Sequence, residues 1–271
     1  AFLSPLIKQN KSIGFVPTMG ALHQGHLSLL EKSLSENDLT VMSIFVNPTQ
    51  FNNAEDLDKY PRTLERDVQI MQDLSNNIIV YAPEVADIYE GNTVSESFNY
   101  DGLENQMEGK HRPGHFDGVG TIVKRLFEIV QPNKAYFGEK DFQQLQIVKK
   151  LVSKYNIPVD VIGCPIHREA NGLAMSSRNE RLSESAREKA AIIYQILNSA
   201  KEIFQTNSAE QTIKFVENEF KKHPEFELEY FEIADEATLL PVSEKESNKK
   251  YRGFIAIFIE NIRLIDNISL N

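Results

Sequence analysis

Apolar and polar positions follow two alternating rhythms along the first part of the chain. Short β-branched or apolar runs at residues 12–17, 39–46 (LTVMSIFV), 78–82, 134–137 and 159–163 read as strands. Between them, apolar residues recur at helical spacing over residues 27–35, where Leu27, Leu30 and Leu34 share one stripe, and over 64–74, 118–130 and 142–155. Strands alternating with helices predict βαβ units and an α/β fold built on a doubly wound parallel sheet. The run LTVMSIFV is apolar without alternation, as a strand covered on both faces requires.

Two stretches break this rhythm. Residues 83–116 are rich in Gly, Asn, Asp and Glu and show little sustained periodicity, which predicts a long excursion or lid. After Cys164, a polar loop (HREANGLAMSSRNERL) precedes two helical segments, 183–204 and 209–222, and then strand-like runs at 228–233 and 254–259. Helices followed by strands predict a smaller α+β domain, so the expected division is 1–166 and 167–271, with 244–250 (EKESNKK) an exposed loop tip.

Composition narrows the function classes. The 271 residues are 41% hydrophobic and 25% charged, ordinary globular values, and no apolar run approaches the roughly 20 residues needed to cross a bilayer. Lys and Arg number 29 against 39 Asp and Glu, and a net charge of −10 disfavours a nucleic-acid partner. The single cysteine, Cys164, cannot form an internal disulfide, and AFLSPLIKQNKS lacks the pattern of a secretory signal, so a cytoplasmic setting is expected. Cys164 ends a strand and reads as a small packed residue, not a nucleophile.

Ligands of an open parallel sheet bind beyond the carboxyl ends of its strands, and four polar clusters fall there or at the start of the second domain. PTMGALHQGH, Pro17 to His26, follows a strand and opens a helix. His23 and His26 are three residues apart, so both can face one ligand at a helix N-terminus, which favours phosphate, while Gly20 and Gly25 permit close approach of the backbone. In NPTQF, Asn47 and Gln50 offer neutral donors and acceptors suited to a hydroxy acid. FGEKDFQQ supplies Lys140 to neutralise phosphate and Gln144 one turn inside the next helix. MSSRN, Met175 to Asn179, offers two hydroxyls and, in Arg178, a fork that matches phosphate. Each cluster alone is an ordinary turn or cap; their joint occurrence, in this order, matches a nucleotidyl-transfer site.

With these motifs in view, the chain resembles the pantoate–β-alanine ligases, of the nucleotidylyl-transferase superfamily that shares its fold with class I aminoacyl-tRNA synthetases. HQGH stands where that superfamily has HIGH and MSSRN where it has KMSKS; PTMGALHQGH, SIFVNPTQF, YPRT, FGEKDFQQL and GLAMSSRN carry the resemblance as far as RLIDN, Arg263 to Asn267. It implies a Rossmann-like first domain and a reaction in which pantoate and MgATP give pantoyl adenylate and pyrophosphate, after which β-alanine displaces AMP. By motif position, Pro17, Thr18, Met19, Gly20, His23, Gly25, His26, Gly138, Lys140, Asp141, His167, Met175, Ser176, Ser177 and Arg178 would bind ATP. His23, His26, Lys140, Ser176 and Arg178 would be the catalytic set, with His26 the proton donor. Asn47, Gln50 and Gln144 would bind pantoate, Gln50 would also meet β-alanine, and Asp67 would help to hold Mg²⁺. The resemblance also implies a homodimer, and a mobile cover over the site at residues 104–115.

Some features stand apart. The family usually has an additional strand and helix before the first glycine-rich motif, and only about a dozen residues precede Ile13. His111 and His115 have a helical metal-binding spacing, but Pro113 between them argues against a helix. Another adenylyl- or cytidylyl-transferase would share HxGH without keeping NPTQF and GEKDFQQ together.

Overall fold

A computed structural model describes residues 11–271; the reading of the first ten residues lies outside them. Five strands, β1 (Ile13–Thr18), β2 (Leu39–Ile44), β3 (Ile78–Tyr81), β4 (Lys134–Gly138) and β5 (Asp160–Cys164), form one sheet in the order β3-β2-β1-β4-β5. Every pairing in it is parallel. Connecting helices are α1 (Gln24–Glu36), α2 (Ala54–Asp58), α3 (Leu64–Leu74), α4 (Val85–Tyr89), α5 (Met107–His111), α6 (His115–Val130) and α7 (Phe142–Lys154).

Strand alternation explains the two layers. Phe15 and Val41 point to the face covered by α6 and α7, joining Val119, Leu126, Leu145 and Leu151 in one core. Their neighbours Val16 and Met42 point the other way and pack with Leu30 of α1 and Met71 of α3. All four of these strand side chains are at most 1% exposed, which is why LTVMSIFV shows no polar alternation. Cys164 belongs to the second core as a packed side chain, and burial pushes its thiol up to about 11.

Past β5 come α8 (Glu184–Lys189), α9 (Ile192–Thr206) and α10 (Ala209–Phe220), then the antiparallel strands β6 (Glu227–Asp235), β7 (Tyr251–Ile259) and β8 (Ile262–Ser269). The helices cover this second sheet through Ile193, Leu197, Val216, Ile255 and Ile257.

The structure corrects several boundaries. The helix expected from Leu27 starts at Gln24, and the one expected from Gly118 starts at His115. The single helix expected over 183–204 is two, separated at Ala190 and Ala191, and no residue type marks the break. Strand β8 has no counterpart in the sequence reading, because its buried positions include Asp266 and Asn267, whose polarity masks the alternation. The 83–116 excursion contains α4 and α5, and Pro113 does separate His111 from His115: α5 ends at one and α6 begins at the other.

Candidate active site

Strands β1 and β4 pair at only two positions, Gly14 with Lys134 and Phe15 with Ala135. Beyond these, β1 stays with β2 as far as Thr18, and β4 with β5 as far as Gly138. The sheet therefore splits at the carboxyl ends of its two central strands, the point where strand order reverses and a parallel sheet presents its ligand crevice. A cavity of about 230 Å³ occupies the split, and a larger one of about 710 Å³ adjoins it, sharing Lys140, Asp141, Ser176 and Arg178.

Most residues singled out in the sequence meet here. Pro17, Thr18, Met19, His23, Gly25, His26, Gly138, Lys140, Asp141, His167, Met175, Ser176, Ser177 and Arg178 border the first cavity, as do Gln50 and Gln144. They come from four separate turns, which the sheet topology alone brings together.

The two histidines are arranged by the start of α1. His23 is its N-cap, and its Nδ1 accepts the Gly25 N–H at 3.1 Å; the His26 Nδ1 accepts the His23 N–H at 3.3 Å. A ring nitrogen that accepts carries no proton, so both neutral imidazoles carry theirs on Nε2. The rings stack with centroids 4.0 Å apart, and the His26 Nε2 lies 3.3 Å from the Thr18 hydroxyl. Burial foremost, then Lys140, lowers His23 to about 4; burial, then His23 and Lys140, lowers His26 to about 3. The pair thus presents two N–H donors beside a helix N-terminus whose first turn contains no acidic residue, a neutral but donor-rich cradle for an anion. Gly25 is required for it, since a Cβ there would stand 2.9 Å from the His23 ring.

Three residues expected at the ligands are engaged with the protein's own framework. Asp67, expected beside a metal, is fully buried: its Oδ2 accepts the Ala21 N–H at 2.9 Å, and its Oδ1 accepts the Leu22 N–H at 2.9 Å and the Thr63 hydroxyl at 3.0 Å. It holds a turn in which Gly20 and Ala21 both have positive φ, 90° and 51°. Gly20 does not border the cavity; its carbonyl and that of Ala21 accept from the Ser177 hydroxyl at 3.3 and 3.0 Å. Asn47, expected on pantoate, is also fully buried. Its amide donates to the Gly118 carbonyl at 3.1 Å and accepts from Tyr89 and Thr49, which shapes the turn so that Gln50 faces the cavity.

His111 and His115 do not form a metal pair. The His111 ring stacks on Tyr230, while the His115 Nδ1 donates to the Gln50 carbonyl at 2.9 Å. Among the described residues no group of three His, Cys, Asp or Glu side chains could hold a metal ion.

The sequence reading missed three parts of the site. Val119, Ile122, Val123 and Leu126 of α6 form an apolar wall facing the amides, and Tyr60, 6% exposed, completes the rim. Asp56 of α2 binds both Arg178 and Arg181 of the MSSRNER turn, at 2.8 and 2.9 Å. The apolar spacing of α6 was visible, but which stripe would line a cavity depends on its packing against the sheet.

Comparison with known proteins agrees with this architecture. The family described as pantoate-beta-alanine ligase matches residues 1–269. A pantothenate synthetase of Flavobacterium psychrophilum is 66% identical over 269 residues, covering 99% of this chain and 95% of its own. The crystal structure of a pantothenate synthetase from Thermus thermophilus is similar at a TM-score of 0.89 and 43% identity, covering 96% of this chain and 93% of its own. A pantoate-beta-alanine ligase from Francisella tularensis, in complex with beta-gamma ATP and beta-alanine, is similar at a TM-score of 0.78 and 38% identity, covering 97% and 91%.

Proposed function

The chain belongs to the pantoate–β-alanine ligase family, and we propose that the cavity between β1 and β4 is where it activates pantoate with ATP and then joins it to β-alanine. The pantoate carboxylate attacks the α-phosphorus of ATP, pyrophosphate leaves, and the acyl phosphate bond of the adenylate forms. The β-alanine amine then attacks the acyl carbon, loses a proton, and AMP departs with the bridging oxygen. No enzyme nucleophile is needed, so the protein's task is to align the reactants and to spread the phosphate charge.

One observation carries the residue assignment: two neutral amides, an apolar wall, two Nε2–H donors and Lys140 converge on one cavity. Gln50 and Gln144 suit the hydroxyl and carboxylate oxygens of pantoate without neutralising its nucleophile, and the α6 wall suits its geminal methyl groups. His23, His26 and Lys140 lie where the reacting phosphate would sit. Ser176 and Arg178 border both cavities, as contacts to the outgoing phosphates would. His26 acts in this reading as a hydrogen-bond donor, since an imidazole lowered to about 3 carries no transferable second proton at neutral pH; incoming phosphate charge raises its proton affinity.

Magnesium carried in with ATP would supply neutralisation of phosphate charge. With the Asp67 carboxylate occupied by backbone donors, the protein group that would hold it is Asp141, a carboxylate on both cavities. The division near residue 166, the cytoplasmic setting and a homodimer belong to the same reading. The single buried Cys164 supports the second and the family likeness supports the third, which sedimentation tests.

The deciding experiment measures pyrophosphate release from MgATP with pantoate alone, then AMP release on adding β-alanine. Release in that order is expected. Pyrophosphate elicited by a different acid, and not by pantoate, would overturn the roles of Gln50 and Gln144.

A further inference from the structure

Strand β8 carries the segment RLIDN; none of its side chains borders the cavity that holds the glutamines and histidines, while Ile262 to Asp266 line one wall of the larger cavity beside it. Its polar residues are nonetheless held at fixed geometry, each against a different turn of the site.

Arg263 places its fork on Glu108 of α5, Nη1 to Oε2 at 2.8 Å and Nη2 to Oε1 at 2.7 Å, and Tyr230 of β6 donates to the same carboxylate at 2.8 Å. Glu108 stands 3.5 Å from Arg112, whose Nη2 donates to the Gln50 carbonyl at 3.0 Å. Asn267 turns instead to the lysine. Its Nδ2 donates to the carbonyls of Glu139 and Lys140, at 2.9 and 2.8 Å, while its Oδ1 accepts from Arg252 at 2.6 Å, which fixes the direction of the amide. Between them Asp266 receives both Nη atoms of Arg168, at 2.6 and 3.0 Å, and Arg168 donates to the Gly172 carbonyl within the hairpin leading to MSSRN.

Buried charges are expensive to desolvate, and apolar side chains would join two layers at least as stably. What this set adds is direction: each bond constrains an angle as well as a distance. We propose that β8 is the positioning strand of the site and that its residues act on the two substrates separately. Arg263 sets Gln50, the pantoate side, through Glu108 and Arg112. Asn267 sets Lys140, the nucleotide side, through the Glu139 and Lys140 carbonyls.

The inference rests on the assignment of Gln50 to pantoate and Lys140 to ATP, and the experiment separates the two. Steady-state kinetics are measured with each substrate varied in turn for Arg263→Lys, Asn267→Ser, Gln50→Ala and Lys140→Ala. Arg263→Lys is expected to raise KM for pantoate about fivefold or more with KM for ATP within twofold, and Asn267→Ser to do the reverse. In the Gln50→Ala background, Arg263→Lys should add nothing further to the pantoate KM. Loss of stability alone would lower active enzyme without splitting the two KM values. Should Arg263→Lys not fold, Tyr230→Phe removes one bond to Glu108 and should show the same split on a smaller scale. Parallel changes in both KM values, or none, overturn the proposal. A Gln50→Ala enzyme with unchanged pantoate KM overturns the substrate assignment instead.

Discussion

The guanidinium of Arg178 rests on the carboxylate of Asp56, Nη2 to Oδ2 at 2.8 Å, and the other oxygen of that carboxylate holds Arg181. Burial penalises the Asp56 carboxylate most, yet bonds to the two arginines outweigh it and keep its pKa below the usual carboxylate value. On the proposed role of Arg178 as a phosphate contact, phosphate oxygens and Asp56 would compete for one arginine. Replacing Asp56 with Ala should lower the KM for ATP severalfold, consistent with about 1 kcal/mol for a partly exposed pair. It should also steepen the salt dependence of ATP binding, because the released arginines then pair with phosphate. An unchanged or weakened affinity for ATP by calorimetry would show that Asp56 orients Arg178 and does not compete for it.

The turn that carries Gln50 lies directly on α6. A Cβ at Gly118 would stand 2.3 Å from the Thr49 carbonyl oxygen and 3.1 Å from the Gln50 nitrogen, both backbone atoms that cannot swing aside. Gly118→Ala should therefore displace Gln50, raise KM for pantoate about tenfold and destabilise the fold by roughly 1–3 kcal/mol, as overpacking does. ATP binding should change little. Kinetics with pantoate and ATP varied separately check this.

Asp67 gives a test of framework against metal chemistry. Asp67→Ala leaves the N–H groups of Ala21 and Leu22 without their buried acceptor, at about 1–3 kcal/mol or more, and releases a turn with two positive φ values. Activity should fall with the Mg²⁺ concentration for half-maximal rate unchanged. A large increase in that concentration would restore Asp67 as a metal ligand.

The parallel sheet, its flanking helices and most of the cavity lining were legible in the sequence, for a physical reason. A βαβ unit forces glycine- and polar-rich turns onto one edge of the sheet, so motif order predicts spatial convergence. What was not legible is just as specific. Asn47 and Asp67 have the chemistry of ligand contacts, but polar side chains also serve buried backbone, and only the backbone path shows which use prevails. Strand β8 escaped notice because Arg263, Asp266 and Asn267 find partners distant in sequence, at Glu108, Arg168 and Lys140. A reading built on apolar periodicity registers such positions as exposed.

Removing the His26 ring tests the donor reading directly. His26→Ala should lower turnover on the order of a hundredfold, the usual loss for one preorganised donor in a transition state. His26→Gln, whose amide can still donate, should recover part of that loss. A change confined to the pantoate KM would place the ring against the wrong substrate.

Stability against pH should report the same histidines. The folded chain holds His23 at about 4, and His26 and His115 at about 3, with burial the largest cause in each, against an ordinary value of 6.5. Below pH 6.5 the unfolded chain binds protons that the folded chain refuses, so stability falls as pH drops from about 6.5 towards 4. Each such ring contributes a slope of up to about 1.4 kcal/mol per pH unit. Burial weighs most on Glu108 and would raise it, but Arg263 outweighs that and lowers it to about 2, so it loses its contribution in a different window, between about 4.5 and 2. Denaturant titrations from pH 7.5 to 4.5 therefore isolate the histidines. Saturating MgATP should flatten the slope by the share of His23 and His26, since phosphate beside their Nε2–H groups raises their proton affinity, and should leave the share of His115 in place. Stability that stays level between pH 6.5 and 4.5 would mean that the folded rings accept protons, and the neutral donor cradle would have to be abandoned.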